Sequence, residues 1–163
     1  MTSERGFSLA ETVIAIGVLT TGIIGAAAVL VAGMQNLSSS PSDVIVAQKA
    51  TEAVESVFAA RDSHKLTWAQ INNVSNGGVF LDAATSLTTP GADGLVNTAD
   101  DGPIETIVLP TGTTTLGGYT RKIQIVDVAG ENGMLRSITV TITYKTGSNT
   151  RTYTLNTFIS SYA

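Results

Sequence analysis

Residues 12–34 of this chain form an apolar run without one charged side chain, and no other feature constrains the fold as strongly. A helix needs about 20 such residues to cross the hydrocarbon of a bilayer. The run starts near the N-terminus, behind the polar segment Met1-Thr2-Ser3-Glu4-Arg5-Gly6, and a single carboxylate, Glu11, stands at its head. A lone acid in a membrane span is costly and by default marks function. A secretory signal has a basic start, a short apolar stretch and then a small-residue cleavage site. Here the apolar run continues past its small residues to Met34, so the segment is expected to stay in the mature chain as an anchor.

The residues around the acid are Arg5-Gly6-Phe7-Ser8-Leu9-Ala10-Glu11. They resemble the type IV pilin and pseudopilin family, whose precursors carry a short charged leader ending in Gly, then Phe-Thr/Ser-Leu-x-Glu and an apolar helix. The resemblance covers residues 1–60. It implies cleavage between Gly6 and Phe7 by a prepilin peptidase, with methylation of the new Phe7 amine. It further implies insertion in a bacterial inner membrane, then polymerisation into a filament that spans the periplasm or reaches the cell surface. The implied partners are membrane lipid, an inner-membrane assembly platform and other pilin subunits. Glu11 would pair with the Phe7 amine of a neighbouring subunit, since two opposite charges in an apolar medium cost far less together than apart. The stretches from Glu11 to Leu19 and from Gly22 to Gly25 look like minor pilins of the class named V and the corresponding minor pseudopilins. A major pilin forming the shaft is the alternative, and a membrane-anchored binding protein that never polymerises is a third.

Gly22, Gly25, Ala26, Ala27 and Ala28 permit close helix approach in lipid. Many major pilins have Pro at the place of Ala28. Ser40-Pro41-Ser42-Asp43 reads as a helix N-cap with Pro at the first helical position. A kink or short break is therefore expected at residues 38–41, dividing a membrane helix, 7–37, from an amphipathic helix, 41–66. In the second helix Val44, Ala47, Val54 and Phe58 recur with helical spacing, which predicts the face that packs on a sheet.

Between residues 66 and 120 there is no Lys or Arg, while Asp82, Asp93, Asp100, Asp101 and Glu105 all lie there. A short strand over 78–81 and a long acidic loop over 83–118 are expected. Loops of that length are functional, disordered or tied down. Within residues 90–105, Asp93, Asn97, Asp100 and Asp101 offer side-chain oxygens, with Gly94 and Gly102 for tight turning. Calcium takes six to eight oxygen ligands of this kind. The stretch is similar to the calcium loop of major pseudopilins, although it lies before the last strands and not at the C-terminus. The same Asp-Gly and Asn-Thr pairs are also plain turn formers, and both readings stay open.

Three C-terminal stretches alternate as strands do. Ile123 and Ile125 share a face, as do Ile138, Val140, Ile142 and Tyr144, and likewise Tyr153, Leu155, Thr157 and Ile159. The expected architecture is α+β: a long N-terminal helix, transmembrane and then amphipathic, packed on an antiparallel sheet of three to four strands over 119–162. The leader is 1–6 and the globular head 67–163. The net charge of −4 gives no reason to expect nucleic acid, and the absence of cysteine removes disulfides and thiol catalysis. The one histidine, His64, lies between Ser63 and Lys65 at the expected helix end. No catalytic constellation is legible, and the chain reads as a structural protein rather than an enzyme.

Overall fold

The computed structural model describes residues 8–109 and 112–162, and the side chains of all of these except 35–40 and 109. The order of elements is α1 (Leu9–Asp62), a 3-10 turn (Val74–Asn76), β1 (Thr85–Ser86), β2 (Thr106–Leu109), β3 (Gly112–Thr115), β4 (Thr120–Asp127), β5 (Leu135–Thr146) and β6 (Asn149–Ser160). The chain divides into two units, Met1–Pro41 and Ser42–Ala163.

The break expected at residues 38–41 is absent, because α1 runs from Leu9 to Asp62 with Pro41 inside it. Proline removes one backbone donor and crowds the carbonyl four residues back, yet the helical state persists on both sides. Ser40 is thus interior to the helix and not its N-cap. The helix ends at Asp62, four residues before the expected limit of 66. His64 closes it in the left-handed region (φ 56), and the Lys65 N–H returns to the Ala60 carbonyl at 2.9 Å. Such a residue just past the last turn is a common helix stop.

The buried stripe of the second unit's helix is Val46, Ala50, Ala53, Val57 and Ala60, each at most 4 % exposed. Steps of four and three keep these on one side. The expected face is therefore rotated: Val44 is 64 % exposed, while Val54 and Phe58 only flank the core. Hydropathy favours Val and Phe over Ala, but the helix meets the sheet through alanines, whose small size lets the backbones approach.

The main sheet is antiparallel with strand order β1-β4-β5-β6. Arg121↔Ile142, Ile123↔Val140 and Ile125↔Ile138 set the β4–β5 register, and Val140↔Leu155 and Ile142↔Tyr153 set that of β5–β6. Ile123, Ile125, Ile138, Val140, Ile142 and Ile159 are all buried against the helix stripe, as the alternation predicts. Fully burying one such side chain is worth about 1.5–3 kcal/mol. Where the helix enters the head, Tyr119 and Tyr144 stack with ring centroids 5.7 Å apart. The Tyr119 hydroxyl lies 3.1 Å from Ser42 Oγ, and the Tyr144 hydroxyl donates to Asp43.

The region 83–118, expected as one acidic loop, contains three strands. β1 adds to the open side of β4 through Thr85↔Arg121 and Ser86↔Thr120. β2 and β3 form a separate two-stranded ribbon. The alternation that reveals a strand is hidden here by threonines, which score as polar but suit a pleated surface. The strand expected over 78–81 reduces to one bridge, Asn73↔Phe80. Gly78 is required beside it, since a Cβ there would stand 1.9 Å from the Asn72 carbonyl oxygen.

Candidate functional site

Two groups of residues carry the functional expectations: the head of the apolar helix and the acidic segment. Gly6 and Phe7, the expected cleavage and methylation positions, lie outside the described residues.

Glu11 is within them. Ser8 precedes the first helical residue, its Oγ accepts the Ala10 N–H at 3.3 Å, and its own N–H donates to Glu11 Oε2 at 3.2 Å. This reciprocal arrangement is a capping box, which satisfies two backbone donors that the first helical turn leaves free. The spacing of Ser8 and Glu11, three residues apart, is the sequence signal for this cap. Behind the cap, the 26 residues Leu9–Met34 are long and apolar enough to cross a membrane; their most apolar 18 residues have mean hydropathy 2.4, and none of these is buried. The polar atoms in this stretch are satisfied locally, as lipid requires. Thr20 Oγ1 donates to the Ile16 carbonyl at 2.7 Å and Thr21 Oγ1 to the Val18 carbonyl at 2.9 Å.

The acidic segment brings its four expected residues together in sequence-local turns. Asp101 Oδ2 accepts the Asn97 N–H at 2.8 Å and the Thr88 hydroxyl at 2.7 Å. Its Oδ1 accepts the Thr98 N–H at 3.1 Å and the Thr98 hydroxyl at 2.9 Å. Asp93 Oδ1 caps the Leu95 N–H at 2.8 Å. Asp100 accepts the Asp93 N–H at 3.3 Å and the Thr98 hydroxyl at 2.9 Å. The Thr98 hydroxyl, first among its neighbours, holds the Asp100 carboxyl below the ordinary carboxylate range. Asn97, in the left-handed region with φ 66, clamps the segment to Leu81. Its carbonyl accepts the Leu81 N–H at 2.8 Å, its side-chain nitrogen donates to the Leu81 carbonyl at 3.0 Å, and its Oδ1 accepts from Thr85 at 3.0 Å.

These oxygens are occupied by the segment's own donors, and Leu95 and Val96 are buried beneath it. Among the described residues no three Asp, Glu, His or Cys side chains form a group that could hold a metal ion. In this arrangement the donor set does not fit a preformed calcium cage. A cation would have to displace hydrogen bonds that already shape the turns.

A third cluster joins residues from three distant segments. Lys49 Nζ lies 2.5 Å from Glu105 Oε2 and 2.6 Å from Glu52 Oε2, with the Lys49 and Glu105 side chains largely buried. Burial, the largest single influence, pushes the Lys49 ammonium down. Hydrogen bonds to Glu105 and Glu52, with their charge, outweigh it, and the net shift is upward. Arg121 beside them is fully buried, and its guanidinium nitrogens have no hydrogen-bond partner among the described residues. Burial lowers its affinity for the proton, opposed by the charges of Asp101, Glu105 and Glu52. The sequence signal for this cluster was Arg121 standing on the Ile123–Ile125 side of β4, one basic residue out of place in an apolar alternation.

His64 is exposed, with its Nδ1 3.2 Å from the Asp62 carbonyl oxygen. No family model, no curated protein and no solved structure matches this chain.

Proposed function

We propose that this chain is a structural subunit of a type IV pilus-like filament, a pilin or pseudopilin, anchored by α1 in a bacterial inner membrane before it polymerises. The observation that carries this reading is the apolar stretch Leu9–Met34. Its side chains are exposed all round, and it begins with a capping box built on the acid of the Gly6-Phe7-Ser8-Leu9-Ala10-Glu11 motif. A helix apolar on every side is covered by lipid or by other helices, and a polymerising anchor uses both in turn. Within the subunit Glu11 needs only its cap. Within a filament it would also meet the amine of a neighbour's Phe7 after removal of residues 1–6. The finer assignment is a minor subunit, resting on the apolar residues from Glu11 to Gly25, with a shaft-forming major pilin as the alternative.

Two measurements test this. Intact mass of the chain recovered from assembled filaments is expected to give an N-terminus at Phe7, methylated; a retained leader in filaments would sink the proposal. Substitutions at Glu11 then separate cap from charge. Gln at this position still accepts the Ser8 N–H, as the capping box tolerates either residue. If the charge pair matters, Glu11→Gln and Glu11→Ala both insert in the membrane and both lose filament incorporation. If only the cap matters, Glu11→Gln assembles normally while Glu11→Ala does not, which sinks the charge-pair account; a parent chain that never enters filaments would make the monomeric anchored protein the better reading.

A further inference from the structure

The second unit has two ends, marked by its contacts with the helix. Where α1 enters, the Tyr119 hydroxyl lies 3.1 Å from Ser42 Oγ, the Tyr144 hydroxyl donates to Asp43, and Arg151 Nη1 stands 3.3 Å from Asp43 Oδ2. Where it leaves, Arg61 Nη1 donates to the Ser160 carbonyl at 3.1 Å, and Ser160 pairs with Leu135. β5 therefore runs counter to the helix, from the Arg61 end to the Asp43 end. The helix from Asp43 to Arg61 is about 27 Å long, and β5 from Leu135 to Tyr144 about 30 Å, so the two lie side by side. The strand pair does not stop at Asp43. Lys145↔Thr150 and Thr146↔Asn149 continue the ladder, and the turn Gly147-Ser148 closes it with Gly147 at φ 61. Glycine in the first central place is what so tight a hairpin turn favours. The tip, three residues beyond Tyr144, stands about 10 Å past the level of Asp43, on the side from which the chain arrives.

The chain arrives from the apolar stretch. Met34, the last residue of that stretch, is nine positions before Asp43, and α1 is unbroken between them. Nine residues of helix rise about 13–14 Å, whereas the headgroup layer on one side of a bilayer is about 5–8 Å deep. So short a tether keeps the Asp43 end of the head within reach of the headgroups, and the length of the hairpin tip matches most of the gap. The chemistry of the tip suits them. Lys145, Gly147, Ser148, Asn149 and Thr150 are exposed. Lys145 makes no ion pair among the described residues, and Arg151 is taken by Asp43. The turn at the other end of β5, residues 128–134, has Glu131 as its only charge. Of the two turns that bound β5, the one beside the tether is the one that offers a free cation.

We propose that the β5–β6 tip rests in the headgroup layer of the membrane that holds the anchor, with the Lys145 ammonium on a lipid phosphate. The proposal rests on the reading of Leu9–Met34 as a membrane anchor and adds a second, polar contact with the same bilayer. A basic side chain at that depth gains from the charge of anionic lipid, and the Ser148, Asn149 and Thr150 side chains add hydrogen-bond donors. An apolar anchor by itself fixes only depth. A second contact also fixes how the head is turned above the bilayer while the subunit is in lipid.

The chain has no cysteine, so a single introduced cysteine carries one fluorophore on the full-length protein, reconstituted in vesicles of phosphatidylglycerol and phosphatidylethanolamine. Flotation comes first: a chain that does not float with the vesicles loses the anchor, and this proposal with it. In floated protein, a quencher attached to lipid headgroups is expected to quench the label at Ser148→Cys and to leave the label at Asn132→Cys, in the opposite turn, unquenched. Equal quenching at the two sites, or none at Ser148→Cys, overturns the proposal while the anchor stands. Lys145→Gln added to Ser148→Cys is expected to shift the balance between quenched and unquenched label roughly fivefold toward unquenched. Lys145→Arg, which keeps the charge, is expected to restore it. Quenching indifferent to the loss of Lys145, or lost equally with Gln and Arg, refutes the phosphate contact.

Discussion

The two halves of α1 share one hydrogen-bonding pattern and differ in everything their side chains meet. In the first half Val13, Leu19, Ile24 and Val29 are each more than 60 % exposed. In the second, Val46, Ala50, Ala53 and Val57 are fully buried. The first half is the more apolar, yet none of its described residues from Leu9 to Met34 is buried. Total hydropathy therefore does not decide where a helical face ends up; the distribution of size does. Large apolar groups on every side call for a surrounding of lipid or other helices. A narrow stripe of alanine and valine suits a flat sheet at close range.

The same substitution placed in each half breaks this comparison most sharply. Val57→Asp puts a carboxylate among Ile and Ala side chains without a partner, and the cost is expected to reach about 3–5 kcal/mol. Thermal melting followed by circular dichroism should show the head largely unfolded, while flotation still finds the chain in membranes. Val18→Asp should do the reverse. Its penalty of about 2.5–3.5 kcal/mol falls on insertion, and the head should melt as before. A Val57→Asp protein with unchanged melting would show that the stripe is not the core.

The acidic segment gives the next effect. Asp101→Ala removes the acceptor of four hydrogen bonds and leaves the Asn97 and Thr98 N–H groups without their partner. The loss is expected to be about 1–3 kcal/mol. Asp100→Ala, on an exposed carboxylate, should cost clearly less. If the segment is held by its own donors, EDTA and added calcium leave the parent's melting temperature unchanged. A rise of several degrees with calcium would instead establish a cation site at Asp93, Asn97, Asp100 and Asp101.

What the sequence disclosed follows from how each element is specified. The β4–β6 meander was legible because Ile138, Val140 and Ile142 alternate with threonines, and alternation is a local property. The apolar span was legible because composition alone defines it. The helix face is not legible from hydropathy, because alanine is a weak hydrophobe that becomes a core residue only when a neighbouring surface demands a close fit. The ribbon β2–β3 was hidden in Thr, Gly and Pro, a composition shared by loops and edge strands. Pro41 suggested a helix start, and the local propensity was overridden, since one missing donor is a small loss beside the bonds on either side. Among candidate residues, Glu11 and residues 93, 97, 100 and 101 were legible as candidates from residue type and spacing alone. Lys49, Glu105 and Arg121 were not, because they come from three distant segments and only the fold brings them together.

The smallest effect concerns alkaline pH, and it bears on where the second half of α1 meets the head. Lys49 holds its proton more tightly in the folded chain than its ordinary value of 10.5 implies. The Tyr144 phenol is likewise raised above 10.0, first by burial and then by its hydrogen bond to Asp43 and the charge of that carboxylate. For both groups the folded state binds more protons than the unfolded chain between the two values, so stability falls as pH rises through that interval. Their contribution is complete below about pH 10 and disappears above the folded values. Burial opposes the pairing at Lys49, and the Arg151 charge opposes the shift at Tyr144, so the summed change stays at about 1 kcal/mol or less. The melting temperature should therefore be level in this respect from pH 7 to 9 and decline above 10. Tyr144→Phe, which removes the phenol and keeps the ring against Tyr119, should flatten part of that decline and leave the share due to Lys49. A slope unaltered by Tyr144→Phe would place the alkaline transition in the Lys49–Glu105 pair alone, and with it the tighter of the two contacts between helix and head.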